Sequence, residues 1–207
     1  MSQLKLYRHP LSGHAHRAEL FLSLLGLETE IINVDLMTGE QKKNAFLQKN
    51  IFGQVPVLED GETTIADSNA ILVYLASQYD IDHSWLPIEP AIAAEVQRFL
   101  SVAAGPVSQG PATARLINLF GAHLDHVKAI ETAHNLLSTL DEYLEGRDWL
   151  VADHVTIADI ANYSYIAHAP EGDVALQYYP NVRTWLQRIE ALPGFVAMQA
   201  STVGLAA

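Results

Sequence analysis

The chain contains no cysteine. That absence excludes a disulfide framework, a zinc–thiolate site and any protein thiol nucleophile. If the protein performs thiol chemistry, the sulfur arrives with a ligand. Positive charge is scarce too: 12 Lys and Arg stand against 24 Asp and Glu, a net charge of −12. Neutralising phosphate takes clustered Lys and Arg, so neither nucleic acid nor a membrane is an expected partner. No apolar run is long enough to cross a bilayer, and the N-terminus lacks a basic-then-apolar signal pattern, so a cytoplasmic location is expected. Internal repeats and low-complexity segments are missing as well. What is present is a chain of 207 residues, 49% apolar and only 17% charged, which suits a compact globule with a sizeable core.

Periodicity divides the chain in two. Leu4-Lys5-Leu6-Tyr7 alternates as a strand. His9 to Gly13 is a turn that delivers a helix with Ala15, Ala18, Leu22 and Leu25 on one face, stopped by Gly26. Glu30 to Val34 is a second strand, and Glu40 to Gln48 a short or irregular helical segment. Val57-Leu58-Glu59 and Thr63-Thr64-Ile65 form a hairpin around an Asp60-Gly61 turn, and Asp67-Ser68 then opens a helix. The order is β-α-β-α-β-β-α, an α/β layer expected over residues 1–79. A polar, proline-bearing linker is expected over 80–89 and an all-helical domain over 90–207. There, a helix over roughly 89–119 carries a kink or break at Gly105-Pro106 and Gly110-Pro111. Leu124, Val127, His134, Leu137, Leu140 and Leu144 mark a long amphipathic helix. Thr156-Ile157-Ala158-Asp159 reads as a capping box with Asp for the more usual Glu. Pro180 to Leu192 is a last helix.

Two local patterns carry chemistry. Phe52-Gly53-Gln54-Val55-Pro56 sets a proline directly before an apolar strand. Proline donates no hydrogen bond and the bond before it is the one that readily goes cis, so the chain bends there. The Val55 backbone groups are then free to pair with an extended peptide. Ser12 follows a strand-to-helix turn at or near a helix N-cap, where its hydroxyl can donate to an anion that the helix dipole also favours. Simple capping is the competing role for Ser12, as it is for Asp67 and Ser68. His9, His14 and His16 crowd the same turn. His14 and His16, two apart at a helix start, point in different directions, so no metal is expected. Arg17 either lends positive potential or lies on the helix surface.

The layout, with Pro10-x-Ser12, Gly53-Gln54-Val55-Pro56, Asp67-Ser68 and the Thr156-x-x-Asp159 box, resembles the soluble glutathione S-transferases over essentially the whole chain. The Gly39 to Lys43 and Asn50 to Pro56 stretches look most like the bacterial theta/phi-like branch, in which a serine serves the thiol. The resemblance implies a thioredoxin-like N-terminal domain, a homodimer, and glutathione as co-substrate with a small electrophile. It implies Ser12 as the thiol donor, with Tyr7 as the alternative, since other branches use a tyrosine near the end of this strand. Val55 would pair with the cysteinyl backbone beside Pro56, and Gln54 would bridge to the peptide. Asp67 would meet the γ-glutamyl ammonium and Ser68 its carboxylate, while Lys42 would pair with the glycyl carboxylate. Gln109, Arg115, Phe120, Tyr165 and His168 would line the electrophile site.

A free thiol has a pKa of about 8.5, and a hydrogen bond to its charged form is worth about 1.5–3 kcal/mol, or roughly one to two pKa units. The resemblance makes conjugation to an electrophile the leading expectation. A glutathione-dependent peroxidase or disulfide reductase, and a non-catalytic binding or regulatory protein of this fold, are the alternatives. The Ser-Ser-Cys loop of maleylacetoacetate isomerase-like members is absent.

Overall fold

The computed structural model describes residues 4–201. Residues 1–3 and 202–207, the outer ends of the two expected domains, lie outside the described residues. The chain divides into two compact units. One runs through His83 and takes in Leu192–Gln199; the other runs from Ser84 to Ala191 and resumes at Ala200.

The first unit follows the order the sequence predicts: β1 (Leu4–Arg8), α1 (Gly13–Leu24), β2 (Thr29–Asn33), α2 (Asn44–Leu47), β3 (Val57–Asp60), β4 (Thr63–Ala66) and α3 (Ser68–Tyr79). A single 3-10 turn, Glu40–Lys42, precedes α2. The strands form one sheet in the order β2-β1-β3-β4, with β1 parallel to β2 and the other pairs antiparallel. This is a thioredoxin-like layer. Alternation along β1 sends Leu4 and Leu6 into one core, while Tyr7 joins Val34, Phe46 and Val57 in a second cluster under α2. Helices α1 and α3 pack against each other. Helix α1 is apolar on more than one face, and its buried residues run from Gly13 through Leu22 with only His14 and Glu19 excepted.

The hairpin turn sits one residue later than the sequence suggests. Asp60 stays in β3 opposite Thr63, because its buried carboxylate accepts hydrogen bonds from the α3 hydroxyls of Tyr74 and Tyr79. After α8, residues Leu192–Gln199 rejoin this unit. Ser23 Oγ donates to Gly194 O at 2.7 Å, and His16 Nε2 bonds Val196 O at 2.8 Å.

The second unit is helical: α4 (Pro90–Val102), α5 (Thr113–Phe120), α6 (His126–Tyr143), α7 (Ile157–Ala167) and α8 (Pro180–Glu190). The helix expected over 89–119 is interrupted, but by a π-helical run, Ala103–Ala112, rather than a simple kink. Pro106 and Pro111 remove two N–H donors inside that run, and the wider turn absorbs their rings. Gly110 lets the run touch α6, since a Cβ there would lie 2.8 Å from Ala133 N. Two residues assigned to the α6 stripe do not belong to it. Leu124 precedes the helix, and Val127 is exposed in its first turn.

Helix α7 is the buried centre of this unit, and the Thr156–Asp159 capping box is formed at its start. Asp159 Oδ2 accepts from Thr156 N at 2.9 Å. Its Oδ1 accepts from Leu150 N at 3.0 Å and from the fully buried Trp185 indole at 2.9 Å. Burial raises the Asp159 pKa to about 6 against these hydrogen bonds. No helix among the described residues is long and apolar enough to cross a membrane.

Candidate functional site

Strand register gathers the first-unit residues. Tyr7 pairs with Val57, and Val57 pairs with Ala66. The end of β1, the start of β3 and the end of β4 therefore share one end of the sheet. The loop carrying Ser12, the Val55-Pro56 step and the Asp67-Ser68 start of α3 all emerge there.

The loop before β3 is built by Asn50, whose Nδ2 donates to Gln54 O at 2.8 Å and whose Oδ1 accepts from Phe52 N at 3.0 Å. Gly53 has φ 58°, and a Cβ there would meet Gln41 O at 2.6 Å and the Lys42 side chain at 2.9 Å. Only glycine fits that contact. Lys42 lies over it with Nζ donating to Phe52 O at 3.0 Å, which puts the lysine against the segment that carries exposed Gln54, Val55 and buried Pro56. The Val55–Pro56 bond is cis. Among the described residues, neither the N–H nor the C=O of Val55 meets a partner.

Asp67 is the N-cap of α3, with φ 80° and ψ 128°. A non-glycine residue held there costs on the order of 1–3 kcal/mol, and such outliers cluster at ligand sites. Its Oδ1 accepts from Asn69 N at 2.9 Å and Ala70 N at 3.0 Å. Asp67 Oδ2 and the Ser68 N–H meet no partner among the described residues. A cation and a carboxylate can be held side by side at this helix start.

Ser12 caps α1: its Oγ accepts from Ala15 N at 3.2 Å. That bond uses a lone pair, so the hydroxyl hydrogen is left for donation. Tyr7 is differently placed, because its hydroxyl donates to Glu59 Oε2 at 2.9 Å. Lys49 pairs with the other Glu59 oxygen and lies 4.7 Å from the centre of the Tyr7 ring. Burial works against the Glu59 charge, but the Lys49 and Tyr7 bonds outweigh it and hold the carboxyl below its ordinary range.

The three histidines diverge. His9 Nδ1 accepts from Leu11 N at 3.3 Å within the turn, His16 bonds Val196, and His14 faces Ser68 Oγ at 3.3 Å. Among the described residues no group of three His, Asp or Glu side chains is placed to hold a metal. Arg17 is not a surface residue but is 1% exposed. The signal in the sequence was its neighbourhood, since Ala15, Ala18, Leu20 and Phe21 surround it on an all-round apolar helix.

In the second unit, Arg115 and His168 meet on one carboxylate. Glu171 accepts from Arg115 Nε at 2.6 Å, pairs with His168 Nδ1 at 2.8 Å and accepts from Ser201 N at 3.0 Å. Burial would raise the Glu171 pKa, yet these partners hold it below the ordinary range. Tyr165 is buried, whereas Gln109 and Phe120 are exposed. The five residues assigned to the electrophile thus fall into an internal ion cluster, a core position and two surface positions.

Comparison with known proteins identifies the family. Residues 2–77 match the family described as "Glutathione S-transferase, N-terminal domain", and residues 125–193 match "Glutathione S-transferase, C-terminal domain". The chain is 35% identical to Glutathione S-transferase 3 of Zea mays, over 94% of this chain and 92% of that one. A crystal structure of a glutathione S-transferase from Pseudomonas fluorescens is 33% identical, with a TM-score of 0.89 over 96% of this chain and 100% of that one. A Drosophila mojavensis glutathione transferase homologue with bound glutathione is 29% identical, with a TM-score of 0.85 over 93% of this chain and 90% of that one. The chain belongs to the glutathione S-transferase family.

Proposed function

We propose that the protein is a glutathione transferase of the serine type, akin to the bacterial theta/phi-like branch, in which Ser12 stabilises the thiolate of bound glutathione. One observation carries the choice of Ser12. Its hydroxyl caps α1 through a lone pair and keeps its hydrogen for the sulfur, while the Tyr7 hydroxyl is spent on Glu59.

Glutathione lies as an extended peptide along Val55, whose N–H and C=O pair with the cysteinyl unit beside Pro56 and Gln54. Asp67 Oδ2 takes the γ-glutamyl ammonium and Ser68 its carboxylate; Lys42 takes the glycyl carboxylate. The bound glutathione of the Drosophila mojavensis homologue supports this choice of ligand. The thiol gives its proton to solvent, and the thiolate forms a carbon–sulfur bond to an electrophilic small molecule as that carbon's leaving group departs or its π bond opens. No metal takes part in this reading. A cytoplasmic homodimer completes it, the dimer from the family resemblance and the location from the composition.

Turnover of an aryl halide with glutathione tests the assignment. Ser12→Ala is expected to lower kcat/KM at neutral pH by about tenfold or more. Undiminished turnover would overturn it.

A further inference from the structure

Residues 40–53 form a loop whose two ends meet. Lys42 Nζ donates to Phe52 O at 3.0 Å, and Gly53 packs so closely on Gln41 O that a Cβ would lie 2.6 Å away. A loop closed on its own side chains packs as one piece. Two residues dock this piece on the sheet. Phe46 stands edge-on to the Tyr7 ring, with centroids 6.4 Å apart, in the cluster with Val34 and Val57. Lys49 pairs with Glu59 on β3 and lies 4.7 Å from the centre of the Tyr7 ring, while the Tyr7 hydroxyl donates to the other Glu59 oxygen at 2.9 Å. Among the described residues this is the one ion pair between the loop and the sheet. The side chains of Lys49 and Glu59 are 29% and 21% exposed, so salt screens the pair less than one at the open surface.

We infer that Lys49 is a positioning residue for the glycyl end of glutathione: its clamp on Glu59 fixes the loop that carries Lys42 to the glycyl carboxylate. This rests on the glutathione reading above. The Lys42 ammonium has three hydrogens, and Phe52 O takes one of them, so two remain for a carboxylate. Their direction depends on how the loop is seated. The Phe46 contact is apolar and non-directional, so it holds the loop down without fixing its angle. The bond from Lys49 to Glu59 supplies the angle. Val55 leads directly into β3 through Pro56, and Asp67 and Ser68 stand at the start of α3, so the clamp does not carry the cysteinyl and γ-glutamyl contacts. Lys49 therefore governs recognition of the glycyl carboxylate, acting through Lys42.

The experiment is a cycle between protein and ligand. Calorimetric binding is measured for glutathione and for its analogue with the glycyl carboxylate converted to an amide. Wild type is expected to prefer glutathione by about tenfold. Lys49→Met is expected to weaken glutathione binding about fivefold and to bind the amide within about twofold of wild type. Its KM for glutathione should rise in step, with kcat at saturating glutathione within about threefold of wild type. Lys49→Arg keeps a donor for Glu59 and is expected to restore most of the affinity. Glu59→Met separates the clamp from simple charge. Removing an acid would strengthen carboxylate binding if only long-range charge mattered, whereas losing the clamp weakens it about threefold or more. A gain in glutathione affinity for Glu59→Met would overturn the proposal. Equal losses for both ligands would show a merely structural pair and overturn it too, as would no loss in Lys49→Met. In a Lys42→Met background, Lys49→Met is expected to cost no further affinity, and a loss that persists there would overturn the proposal even if Glu59→Met does not fold. Equal wild-type affinity for acid and amide would remove the Lys42 contact and the proposal with it. Failure of wild type to bind glutathione at all would remove the underlying reading instead.

Discussion

At the start of α7, Asp159 gives one oxygen to the Leu150 amide and the Trp185 indole and the other to Thr156. At the start of α3, Asp67 gives one oxygen to two amides of its own helix and keeps the other outside. Both sites read alike in the sequence, as a hydroxyl residue and an aspartate opening a helix. Their difference lies in what the rest of the chain brings. Around α7, a loop amide and a tryptophan close every direction, and the aspartate becomes part of the core. Around α3, the side chain brought from elsewhere is Arg17, which arrives from behind on Ser68 and Asn69 and leaves the outer face of the helix start open. Ser12 at α1 follows the open pattern, capping with a lone pair and keeping its hydrogen. An acid at a helix start is structural or ligand-binding according to how many of its bonding directions the protein itself fills.

The contrast can be broken most severely at the closed end. Asp159→Ala strands the Trp185 and Leu150 donors inside the core and is expected to cost about 3 kcal/mol or more of stability. Glutathione affinity of the folded protein should not change. Denaturant unfolding alongside calorimetry checks both, and a fully stable variant would contradict the closed-cap description.

The open end responds to pH instead. His14 has its pKa lowered from 6.5 to about 3 by burial and by Arg17. Between those values the unfolded chain binds a proton that the folded one refuses. The His14 contribution is therefore fully present above pH 6.5 and is lost as the pH falls towards 3. At pH 5 the loss is about 2 kcal/mol for a single such group. His14→Gln is expected to flatten the acid limb of the stability curve by that amount, and identical pH profiles for the two proteins would count against a neutral His14 beside Ser68.

The smallest expected effect sharpens the comparison. Asp67→Asn keeps an oxygen for the cap and removes the charge. Stability is expected to stay within about 0.5 kcal/mol while the KM for glutathione rises about tenfold. The reverse outcome, a large stability loss with KM unchanged, would make Asp67 another Asp159.

Much of the fold was legible because its signals are local. The alternation of Leu4 and Leu6, the hairpin around Gly61 and the Thr156–Asp159 box each depend on a few consecutive residues. The local geometry of the candidate site was legible to the same degree: Ser12, Val55-Pro56 and Asp67-Ser68 each announce a turn, a bend or a cap. What the sequence hid is long-range. Arg17 reads equally as a source of positive potential or a surface charge until α3 is packed over it, and Arg115 and His168, assigned to the electrophile site by resemblance, meet on Glu171 instead. The π-helical run also escaped, since paired Gly-Pro steps signal an interruption without specifying that the helix continues through it in a wider turn. The return of Leu192–Gln199 to the first unit depends on Ser23 and His16, far back in the chain.

The most direct test of the open caps is the pKa of the glutathione thiol in the complex, followed by thiolate absorbance during a pH titration of wild type and Ser12→Ala. If the Ser12 hydrogen serves the sulfur, the thiol pKa in Ser12→Ala rises by roughly one to two units towards that of free glutathione. A thiol pKa that is the same in both proteins would contradict it and return Ser12 to the role of a helix cap.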